Sequence, residues 1–597
     1  MFIIFLRSQG RPVELCKQTK KTYIMNFKWN YQPPTPDALA AAEQLSQELG
    51  ISPVLCRLLG ERGIQTPEDA KRFFRPSLTM LHDPFLMDGM KAAVDRINLA
   101  LGRKERILVY GDYDVDGTSA VTLVFKFLSR FTTNIDYYIP NREEEGYGVS
   151  AAGLRHASET GVTLVIVLDC GVKAVQEIAQ AKEMGIDFIV CDHHVQDDEL
   201  PPAVAILNPK LKDSHYPFHH LSGCGVGFKL MQAFALNNGI EFSQLIPYLD
   251  LVALSIASDI VPITGENRVL AYHGLRQINH NPSVGLKAII QVCGLKDKEL
   301  SLNDLIFRIG PRINASGRIQ TGQTAVDLLT ENDYRKAVAL ARQIDEFNDT
   351  RKDLDKAMTE EANVIVDNLV DLDAQHSIVL YNEEWHRGVI GIVASRLTEL
   401  FYRPSVVLTK TNNLATGSAR SVADFDVYKA IESCRDLLEN FGGHPYAAGL
   451  SMKVENVPEF KRRFEAYVAE NILPRQMEAH LNVDAELAFR EINMKLYNDL
   501  KKFEPFGPDN PRPVFCTRHV FDYGTSKVVG RAQEHIKLEM VDNDSLRVMN
   551  GIAFGQSAQV RFIKSKHPFD ICYTLEENTH KRGEVQLQIE SIRPSES

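Results

Sequence analysis

The stretch ILVYGDYDVDGTSA, residues 107–120, joins an apolar run to three aspartates in alternate positions. These are Asp112, Asp114 and Asp116. The apolar run is typical of a buried strand, and the segment from Thr118 to Phe131 is typical of a helix. If the aspartate segment is extended, its alternation places the three carboxylates on one side, with a tight turn at Gly117 before the helix.

Short apolar runs of the same kind recur along the chain, with helical patterns between them. They cover Asp136–Pro140, Thr163–Leu168, Phe188–Cys191 and Val204–Leu207. Strands that alternate with helices at this spacing predict a parallel, doubly wound sheet.

Further acidic and imidazole side chains come directly after these runs. Asp169 closes the run TLVIVL, Asp192-His193-His194 comes after FIVC, and Asp259 lies in IASDIVP. Ligands of such sheets bind beyond the carboxyl ends of the strands, so positions far apart in sequence are expected to converge on one crevice.

Several carboxylates in one crevice repel each other unless cations lie among them. Oxygen ligands suit Mg²⁺ or Mn²⁺, and a histidine favours Mn²⁺. Two such ions about 3.5–4 Å apart lower the pKa of a water between them and are typical of phosphate-ester hydrolysis. Taken singly, each motif has a simpler interpretation: a calcium loop, a helix N-cap or a surface histidine pair.

The composition sets outer limits. A chain of 597 residues requires several domains, and the net charge of −11 argues against a uniformly basic, DNA-coating protein. Nine scattered cysteines without a C-x-x-C pair indicate a reducing cytoplasm. No stretch has the length and apolarity of a membrane span, so no membrane partner is expected. Residues 1–24 differ from the rest, and Met25 is a plausible alternative start.

The remaining chain divides by pattern. Residues 36–82 predict short helices and residues 330–370 a long connecting helix. A second α/β pattern is predicted farther along the chain. It consists of two strands, Ser377–Tyr381 and Ser405–Thr409, with a helix from Gly388 to Phe401 between them. From about residue 480 short strands predict a small barrel of the oligonucleotide-binding (OB) type. The candidate strands there are Pro513–Phe515, His535–Val541, Arg547–Phe554 and Glu584–Ile589.

The motifs GDYDVDGTSA, VLDCG, CDHH and ASDIVP resemble motifs I to IV of the DHH phosphoesterase superfamily. Further segments resemble, more narrowly, its RecJ family of single-strand-specific 5′→3′ exonucleases. They are PNREEEGYGVS (140–150), GPRINASGRIQTG (310–322), EWHRGVIGIVASRL (384–397), GSARS (417–421), FGGHPYAAGL (441–450) and FEPFGPDNPRPVF (503–515). FGGHPYAAGL is similar to the signature of the DHH-associated domain, and FEPFGPDNPRPVF separates this family from smaller DHH relatives.

The resemblance implies a multidomain α/β protein. Its parts would be an extension over residues 1–25 that is disordered or not native, an N-terminal helical region (26–85), a DHH catalytic domain with a parallel sheet (86–270), a helical linker with a DNA-contact loop (271–370), a smaller α/β DHH-associated domain (371–475) and an OB-fold domain (476–597).

The resemblance also implies roles for the residues that match the family motifs. The expected ligands of two divalent cations, Mg²⁺ or Mn²⁺, are Asp114, Asp116, Asp169, His193 and Asp259. Asp169 is expected to bridge the ions, Asp112 to support the cluster, and His194 to face the scissile phosphate.

A second set of residues is implied to hold DNA. Arg142, Ser418 and Arg420 would grip a terminal 5′-phosphate, which suits a guanidinium that binds phosphate in a bidentate manner. Arg318 would reach a phosphate near the metals. Tyr147, Arg312 and His444 complete the expected DNA-binding set. Each arginine could instead have a structural role: Arg142 could pair with Glu143–Glu145, and Arg318 could cap a helix.

By the same resemblance the protein is expected to release 5′-mononucleotides from single-stranded DNA by two-metal-ion hydrolysis. It would act in the cytoplasm, as a monomer, in recombination, mismatch repair and base-excision repair. Single-strand-binding protein and a RecQ-type helicase are the expected partners.

Three other functions compete with this interpretation. Phosphodiesterases of the superfamily that cut short oligonucleotides or cyclic dinucleotides lack a strand-binding barrel, so residues 480–597 argue against that class. A manganese pyrophosphatase is less favoured still. A catalytically silent DNA-binding scaffold is disfavoured because every expected metal ligand is present. One departure from the family pattern is Glu384, where a small residue is expected.

Overall fold

The structure is a computed structural model. It describes residues 27–142, 144–368, 374–543, 545–578 and 581–595. The extension expected over residues 1–25 and the Glu143 side chain lie outside this part of the chain.

The N-terminal region forms the predicted short helices. Its elements are β1 (Lys28–Tyr31), α1 (Pro36–Leu49), α2 (Pro53–Glu61) and α3 (Pro67–Phe74). Each helix begins with a proline, where the missing amide costs nothing, and the side chains of Thr35 and Thr66 cap α1 and α3. The buried face of these helices, including Leu55 and Leu58, packs into the core of the C-terminal domain rather than into a core of its own.

The next region contains the predicted parallel sheet, with strand order β3-β2-β4-β5-β6. Its elements are α4 (Met90–Arg103), β2 (Ile107–Gly111), α5 (Val115–Leu128), β3 (Ile135–Tyr138), α6 (Ala151–Glu159), β4 (Leu164–Leu168), α7 (Val175–Glu183), β5 (Asp187–Cys191) and β6 (Ala205–Leu207). Every residue of β2 and β4 is buried, because helices cover both faces of the sheet. This explains the uninterrupted apolar runs in the sequence.

A helical region comes after the sheet and ends in the predicted long connecting helix. It contains α8 (Gly223–Asn237), α9 (Leu249–Ser258), α10 (Gly265–His280), α11 (Val284–Val292), α12 (Leu302–Asp304), a π-helical turn (Leu305–Ile309), α13 (Gly310–Ile319), α14 (Gln323–Thr330) and α15 (Tyr334–Asp367). The 34-residue α15 packs against α13 near its start and against α16 of the next domain. It therefore joins the two α/β domains.

The second α/β domain has one mixed sheet, with strand order β10-β11-β9-β8-β7. Its elements are β7 (Ile378–Tyr381), α16 (Ile390–Phe401), β8 (Ser405–Thr411), β9 (Leu414–Arg420), α17 (Val427–Glu432), β10 (Leu438–His444), β11 (Ala447–Lys453) and α18 (Val457–Asn471). Strands β7 and β8 are parallel and the others antiparallel. Glu384 is exposed in the loop after β7, so its size disturbs no packing.

The C-terminal domain is the predicted OB-type barrel. Strands β14, β18, β19, β17 and β16 pair in a ring that closes between β16 and β14. The elements are β12 (His480–Val483), β13 (Ala485–Glu486), α19 (Met494–Lys501), β14 (Phe515–Asp522), β15 (Lys527–Val529), β16 (His535–Asp542), β17 (Val548–Ala553), α20 (Val560–Ile563), β18 (Phe569–Glu577) and β19 (Val585–Pro594). The sequence patterns did not indicate β18, because seven of its nine residues are buried and the alternation of a half-exposed strand is absent.

No helix in the described part of the chain has both the length and the apolar character needed to cross a bilayer.

The Arg268 side chain connects three regions of the protein: α10, the end of α3 and residues 503–505. Its guanidinium donates hydrogen bonds to the carbonyls of Phe73, Phe503, Glu504 and Pro505 at 2.9–3.3 Å, and it lies 3.7 Å from the centre of the Phe73 ring. Burial, with the nearby charge of Arg62, lowers the pKa of Arg268 to about 9. The cation is thus held by backbone dipoles instead of a carboxylate.

Replacing Arg268 with methionine should lower the free energy of unfolding by roughly 2–4 kcal/mol, because four buried carbonyls lose their charged donor. Denaturant titration followed by circular dichroism measures the change. Arg276, on the same helix and largely exposed, provides the control as Arg276→Met. Equal stability of the two variants would contradict the role given to Arg268.

Candidate metal centre and phosphate-binding cleft

Three neighbouring strand ends position the centre. Asp112, Asp169 and Asp192 come directly after β2, β4 and β5, as the sequence predicted. The expected extended geometry of the segment after β2 is wrong, because α5 begins two residues before Gly117. Asp114 is the N-cap of α5, and its carboxylate accepts a hydrogen bond from the Gly117 amide at 3.1 Å.

His193 lies at the middle of the acidic groups. Its Nε2 atom is 3.1 Å from Asp169 Oδ1, 3.6 Å from Asp259 Oδ2 and 3.8 Å from Asp116 Oδ2. Three overlapping sets have ligand atoms within 4.8 Å of one another. They are Asp112, Asp114 and Asp169; Asp116, His193 and Asp259; and Asp169, His193 and His194. All seven side chains expected at the centre therefore meet there.

Asp259 reaches the centre from an unexpected element. The sequence pattern predicted that Asp259 comes after a strand. In the structure Asp259 is the C-cap of α9, and nearly all ten residues of this helix are buried. An apolar run of this length fits a buried helix as well as a strand, and for this reason the prediction of a strand was wrong. The next residue, Ile260, has a left-handed backbone with φ of 57°.

Four buried atoms of the centre have no hydrogen-bond partner among the described residues. They are Asp112 Oδ1, Asp169 Oδ1, and both ring nitrogens of His193. Buried polar atoms are normally satisfied, so atoms of this kind indicate a missing ligand. Carboxylate oxygens with one imidazole are a donor set that fits Mg²⁺ or Mn²⁺.

Asp116 is held by the start of α8. Its carboxylate accepts hydrogen bonds of 2.7 Å from the amides of Gly223 and Cys224 and from the hydroxyl of Ser255. A Cβ atom on Gly223 would lie 2.5 Å from Asp169 Oδ1, so only glycine permits this approach. The helix terminus places positive dipole ends beside the acidic cluster and fixes the orientation of Asp116.

Asp169 itself has a strained backbone. Its φ is 59°, in the left-handed region that non-glycine residues seldom adopt. Strain of this kind persists only where the surroundings enforce it, and it concentrates at functional sites. Here the Asp169 amide donates to the Cys191 carbonyl at 2.8 Å, which keeps the residue joined to the next strand.

Protonation of the centre depends on its crowding. Burial, and then repulsion by neighbouring carboxylates, raises the pKa values of Asp112, Asp114, Asp169 and Asp259. Burial lowers the pKa of His193 to about 4, so this imidazole is neutral and able to bind a cation at neutral pH. Because carboxylates bind cations in their ionised form, the raised pKa values make cation binding weaker as pH falls.

Asp192 interacts with His194 and is not part of the acidic cluster. It accepts a 2.7 Å contact from His194 Nδ1 and hydrogen bonds from the amides of Val172, His193 and His194. Burial acts to raise the pKa of Asp192, but the contacts with His194 and the amides outweigh it and hold the pKa at about 2. Burial acts to lower the pKa of His194, and Asp192 reverses this, so the pKa of His194 is raised.

A cluster of arginines lies beside the metal centre, and Arg318 is close enough to Asp114 for the two charges to interact. Arg318 donates to the carbonyl of Gly388 at 3.1 Å, which connects α13 to the second α/β domain. Burial, together with the charges of Arg142, Arg351 and Arg420, lowers the pKa of Arg318 to about 10. Like charges gathered in a half-buried space indicate an anion site.

Ser418 and Arg420 stand on β9 beside the start of α16. Arg420 Nη1 lies 2.8 Å from Ser418 Oγ, and a Cβ atom on Gly391 would be 3.0–3.1 Å from both side chains. The amides of the first turn of α16 are therefore close to a guanidinium and a hydroxyl. Arg142 lies over the Tyr113 ring, and its charge acts on Asp112 and on Arg420.

The other expected DNA-binding residues are placed differently. Tyr147 is exposed, and its hydroxyl contacts the Asp169 carbonyl at 3.2 Å and the His194 ring at 3.4 Å. His444 is exposed at the end of β10, and burial with the charge of His194 lowers its pKa. Arg312 is held by an ion pair with Asp345 at 2.7 Å.

Two further cationic residues near these clusters were not singled out from the sequence. Lys210 lies after β6, and Asn208 ties its turn to the His194 carbonyl at 2.8 Å. The rule that polar residues after parallel strands face the crevice would have found it. Arg351 lies at the middle of α15, and its Nε atom is buried without a partner among the described residues. No local pattern marks it, since charged residues are frequent along this helix.

Family models match three parts of the chain. The "DHH family, N-terminal domain" model matches residues 106–256, the "DHHA1 domain" residues 374–470 and the "RecJ OB domain" residues 483–591. A Haemophilus influenzae protein named "Single-stranded-DNA-specific exonuclease RecJ" is 33% identical over 91% of this chain and 96% of its own length. The chain belongs to the RecJ family. This confirms the resemblance drawn from the motifs.

Other RecJ proteins agree with this assignment. The Bacillus subtilis RecJ is 36% identical over 87% of this chain, but the match spans only 65% of that longer protein. The crystal structure of Thermus thermophilus RecJ in complex with Mn²⁺ matches with a TM-score of 0.80 and 26% identity, covering 96% of this chain and 80% of that one. The fold of this chain is thus similar to that of the Thermus thermophilus protein over almost the whole of its length.

Added Mn²⁺ should stabilise the protein more at pH 8 than at pH 6. At the lower pH, protons on the carboxylates with raised pKa values compete with the cation, while His193 is neutral at both. Without metal, these carboxylates should lower stability as pH rises above about 4, the unfolded pKa of aspartate, because they lose protons that the unfolded chain has already released; His193, with its lowered pKa, opposes this trend only below about 6.5. Thermal unfolding with and without Mn²⁺ measures both effects.

The control for this measurement is Asp169→Asn, which removes one charge from the centre and should lose most of the Mn²⁺-dependent shift in Tm. A shift of the same size at both pH values, or in both proteins, would place the bound cation elsewhere.

Proposed function

We propose that this protein degrades single-stranded DNA from the 5′ end and releases 5′-mononucleotides, using two divalent cations, Mg²⁺ or Mn²⁺. The observation that carries the proposal is that a metal-binding cluster and an arginine cluster lie close together: Arg142 lies over the Tyr113 ring, and its charge acts on Asp112 of the first cluster and on Arg420 of the second. The relatives named single-stranded-DNA-specific exonucleases support the substrate class.

Asp114, Asp116, Asp169, His193 and Asp259 would hold the cations. When bound, the cations would help to deprotonate a water at neutral pH and neutralise charge on the phosphodiester. Asp169 belongs to two of the three overlapping ligand sets, which supports a bridging position. Asp112 would support the cluster from the end of β2.

His194 would act on the scissile phosphate. Asp192 binds its Nδ1 atom and favours the protonated ring, so Nε2 can donate to a non-bridging phosphate oxygen. Arg318 would supply a second positive charge, held in place by the Gly388 carbonyl. Both groups favour the extra negative charge of the transition state, and neither requires a base-specific contact.

Arg142, Ser418 and Arg420 would bind the terminal 5′-phosphate together with the first amides of α16. A terminal phosphate carries more charge than an internal phosphodiester and presents more oxygens to the two guanidiniums. Binding the terminus at a fixed place relative to the metals would set the cleaved bond at the first nucleotide.

Specificity for single strands would come from the shape of the path that the DNA follows and from the stacking of its bases on aromatic side chains. Tyr147 at the metal centre and Tyr523 and Phe554 on the barrel are exposed aromatic side chains on which bases could stack, each worth about 1–3 kcal/mol. His444, at its hairpin tip across from His194, would lie beside the backbone. Arg312 would contribute only to the electrostatic field around the DNA, because it already forms an ion pair with Asp345.

Two alternatives are less favoured. A phosphodiesterase for short oligonucleotides or cyclic dinucleotides would not need the closed barrel of the C-terminal domain. A silent DNA-binding scaffold would not need five intact metal-binding side chains, two of which, Asp169 and His193, have buried atoms without a hydrogen-bond partner among the described residues. The cellular role consistent with this reaction is 5′-strand trimming in DNA recombination and repair in the cytoplasm, by a monomer that works with single-strand-binding protein and a RecQ-type helicase.

Digestion of single strands labelled at either end tests the reaction. In Mg²⁺ or Mn²⁺, a 5′ label should appear at once as mononucleotide, while 3′-labelled strands shorten progressively. Duplex DNA should resist, and Asp169→Ala should abolish turnover because it removes the bridging ligand. Cleavage confined to di- to pentanucleotides would support the small-substrate alternative, and binding without cleavage the scaffold.

Arg420→Ala should reduce kcat/KM about 10–100-fold on strands with a 5′-phosphate and much less on strands with a 5′-hydroxyl, because only the former loses a charged hydrogen bond of about 1.5–3 kcal/mol. Arg403→Ala is a matched control, since this guanidinium donates to backbone carbonyls near β8. An equal loss on both strands would show that Arg420 does not read the terminus.

A further inference from the structure

The segment FEPFGPDNPRPVF, residues 503–515, has no part in the chemistry described so far. It connects α19 to β14, the first strand of the barrel. Phe503 and Phe506 pack in the core of the C-terminal domain, whereas Gly507 and Pro508 contact the loop that begins at Asp259.

Two contacts join this segment to the Asp259 loop, residues 259–264. The amide of Ile263 donates a hydrogen bond to the carbonyl of Pro508 at 2.8 Å. A Cβ atom on Gly507 would lie 2.5 Å from Ile263 Cγ1, so the backbone of the segment presses directly on a side chain that is buried in the DHH core. No larger residue fits at position 507 unless Ile263 moves.

The Asp259 loop needs such support. Ile260 is β-branched, 61% exposed and in the left-handed region with φ of 57°, a conformation that costs roughly 1–3 kcal/mol. Asp259 is the C-cap of α9: its amide still donates to the Ser255 carbonyl at 2.9 Å, but the residues after it have left the helix. On the DHH side, Asn267 holds the loop through the Pro262 carbonyl at 3.0 Å. The Pro508 carbonyl holds it from the opposite side.

The segment is rigid enough to act as a support. Gly507 and Asn510 exchange backbone hydrogen bonds of 3.0 and 3.1 Å, which close a tight turn. The buried Asn510 side chain donates to the carbonyls of Phe503 and Pro505 and accepts from Arg62 Nε at 2.9 Å. Arg268 binds the same stretch of backbone from α10, the helix that comes after the Asp259 loop.

We propose that residues 503–513 are a positioning element for Asp259, so that the segment entering the barrel also completes the metal centre. Gly507 and Pro508 would act through Ile263 on the backbone that carries the ligand. The inference rests on the proposed metal centre.

Gly507→Ala tests the inference directly. The added methyl should push Ile263 and displace Asp259, which should weaken binding of Mn²⁺ about tenfold or more, as loss of an outer-shell support does. Isothermal titration of the full-length protein with Mn²⁺ alone measures the dissociation constant. Gly102→Ala is the matched control, because a Cβ atom on Gly102 meets nothing within 4 Å.

Two further variants separate positioning from general damage. Ile263→Ala combined with Gly507→Ala should recover Mn²⁺ affinity relative to Gly507→Ala alone, because the space for the methyl is restored. In an Asp259→Asn background, Gly507→Ala should have little additional effect, since the ligand it acts on is already altered. A merely structural role would also predict the first result but not the second, so the Asp259→Asn background is the deciding comparison.

The inference is overturned if Gly507→Ala lowers Tm or the affinity for single-stranded DNA while Mn²⁺ affinity stays at the wild-type value. The segment would then only join the domains. Failure of the proposed metal centre has a different outcome: the wild-type protein itself would bind no Mn²⁺ that depends on Asp169 or Asp259.

Discussion

Electrostatic repulsion among buried carboxylates is the constraint on which this structure depends. Five aspartates and a neutral imidazole share a space in which burial alone already disfavours charge. The fold answers with fixed dipoles: amides at the start of α8 hold Asp116, and the first turn of α5 binds Asp114. These groups orient the oxygens but leave buried atoms of Asp112, Asp169 and His193 without a hydrogen-bond partner among the described residues, and bound cations would satisfy them.

The same constraint explains why so many elements meet at one edge of the sheet. No single strand or helix could present five carboxylates at contact distance, because neighbouring side chains on one element diverge. Three strand ends, one helix start and one helix end each contribute one or two groups. The backbone adopts unfavourable conformations at Asp169 and Ile260 to direct them inward. Rigid neighbours, including the segment before the barrel, keep those conformations in place.

Much of this arrangement could be predicted from the sequence, for a physical reason. Strands buried on both faces are uninterrupted apolar runs, and the residues at their carboxyl ends face the crevice of a parallel sheet, so Asp112, Asp169 and His193 could be located without a structure. Asp259 was assigned to the wrong kind of element because a short buried helix has no visible periodicity. The contact of Pro508 with Ile263 could not be predicted at all, since it joins residues that are distant in sequence and have no local signature.

The N-terminal helices contribute Leu55 and Leu58 to the core that contains Phe515 and Ile589 of the barrel, and the Trp29 indole donates a hydrogen bond to Ser591, 562 positions away. This packing of the N-terminal helices against the C-terminal barrel affects how the chain folds during its synthesis. During synthesis the first helices emerge with an apolar face that nothing yet covers, while the parallel sheet between them and the barrel can already assemble. Their burial must wait until the barrel strands leave the ribosome. We therefore expect the N-terminal helices to bury this face only after the barrel strands have been made, and the uncovered face favours aggregation until then.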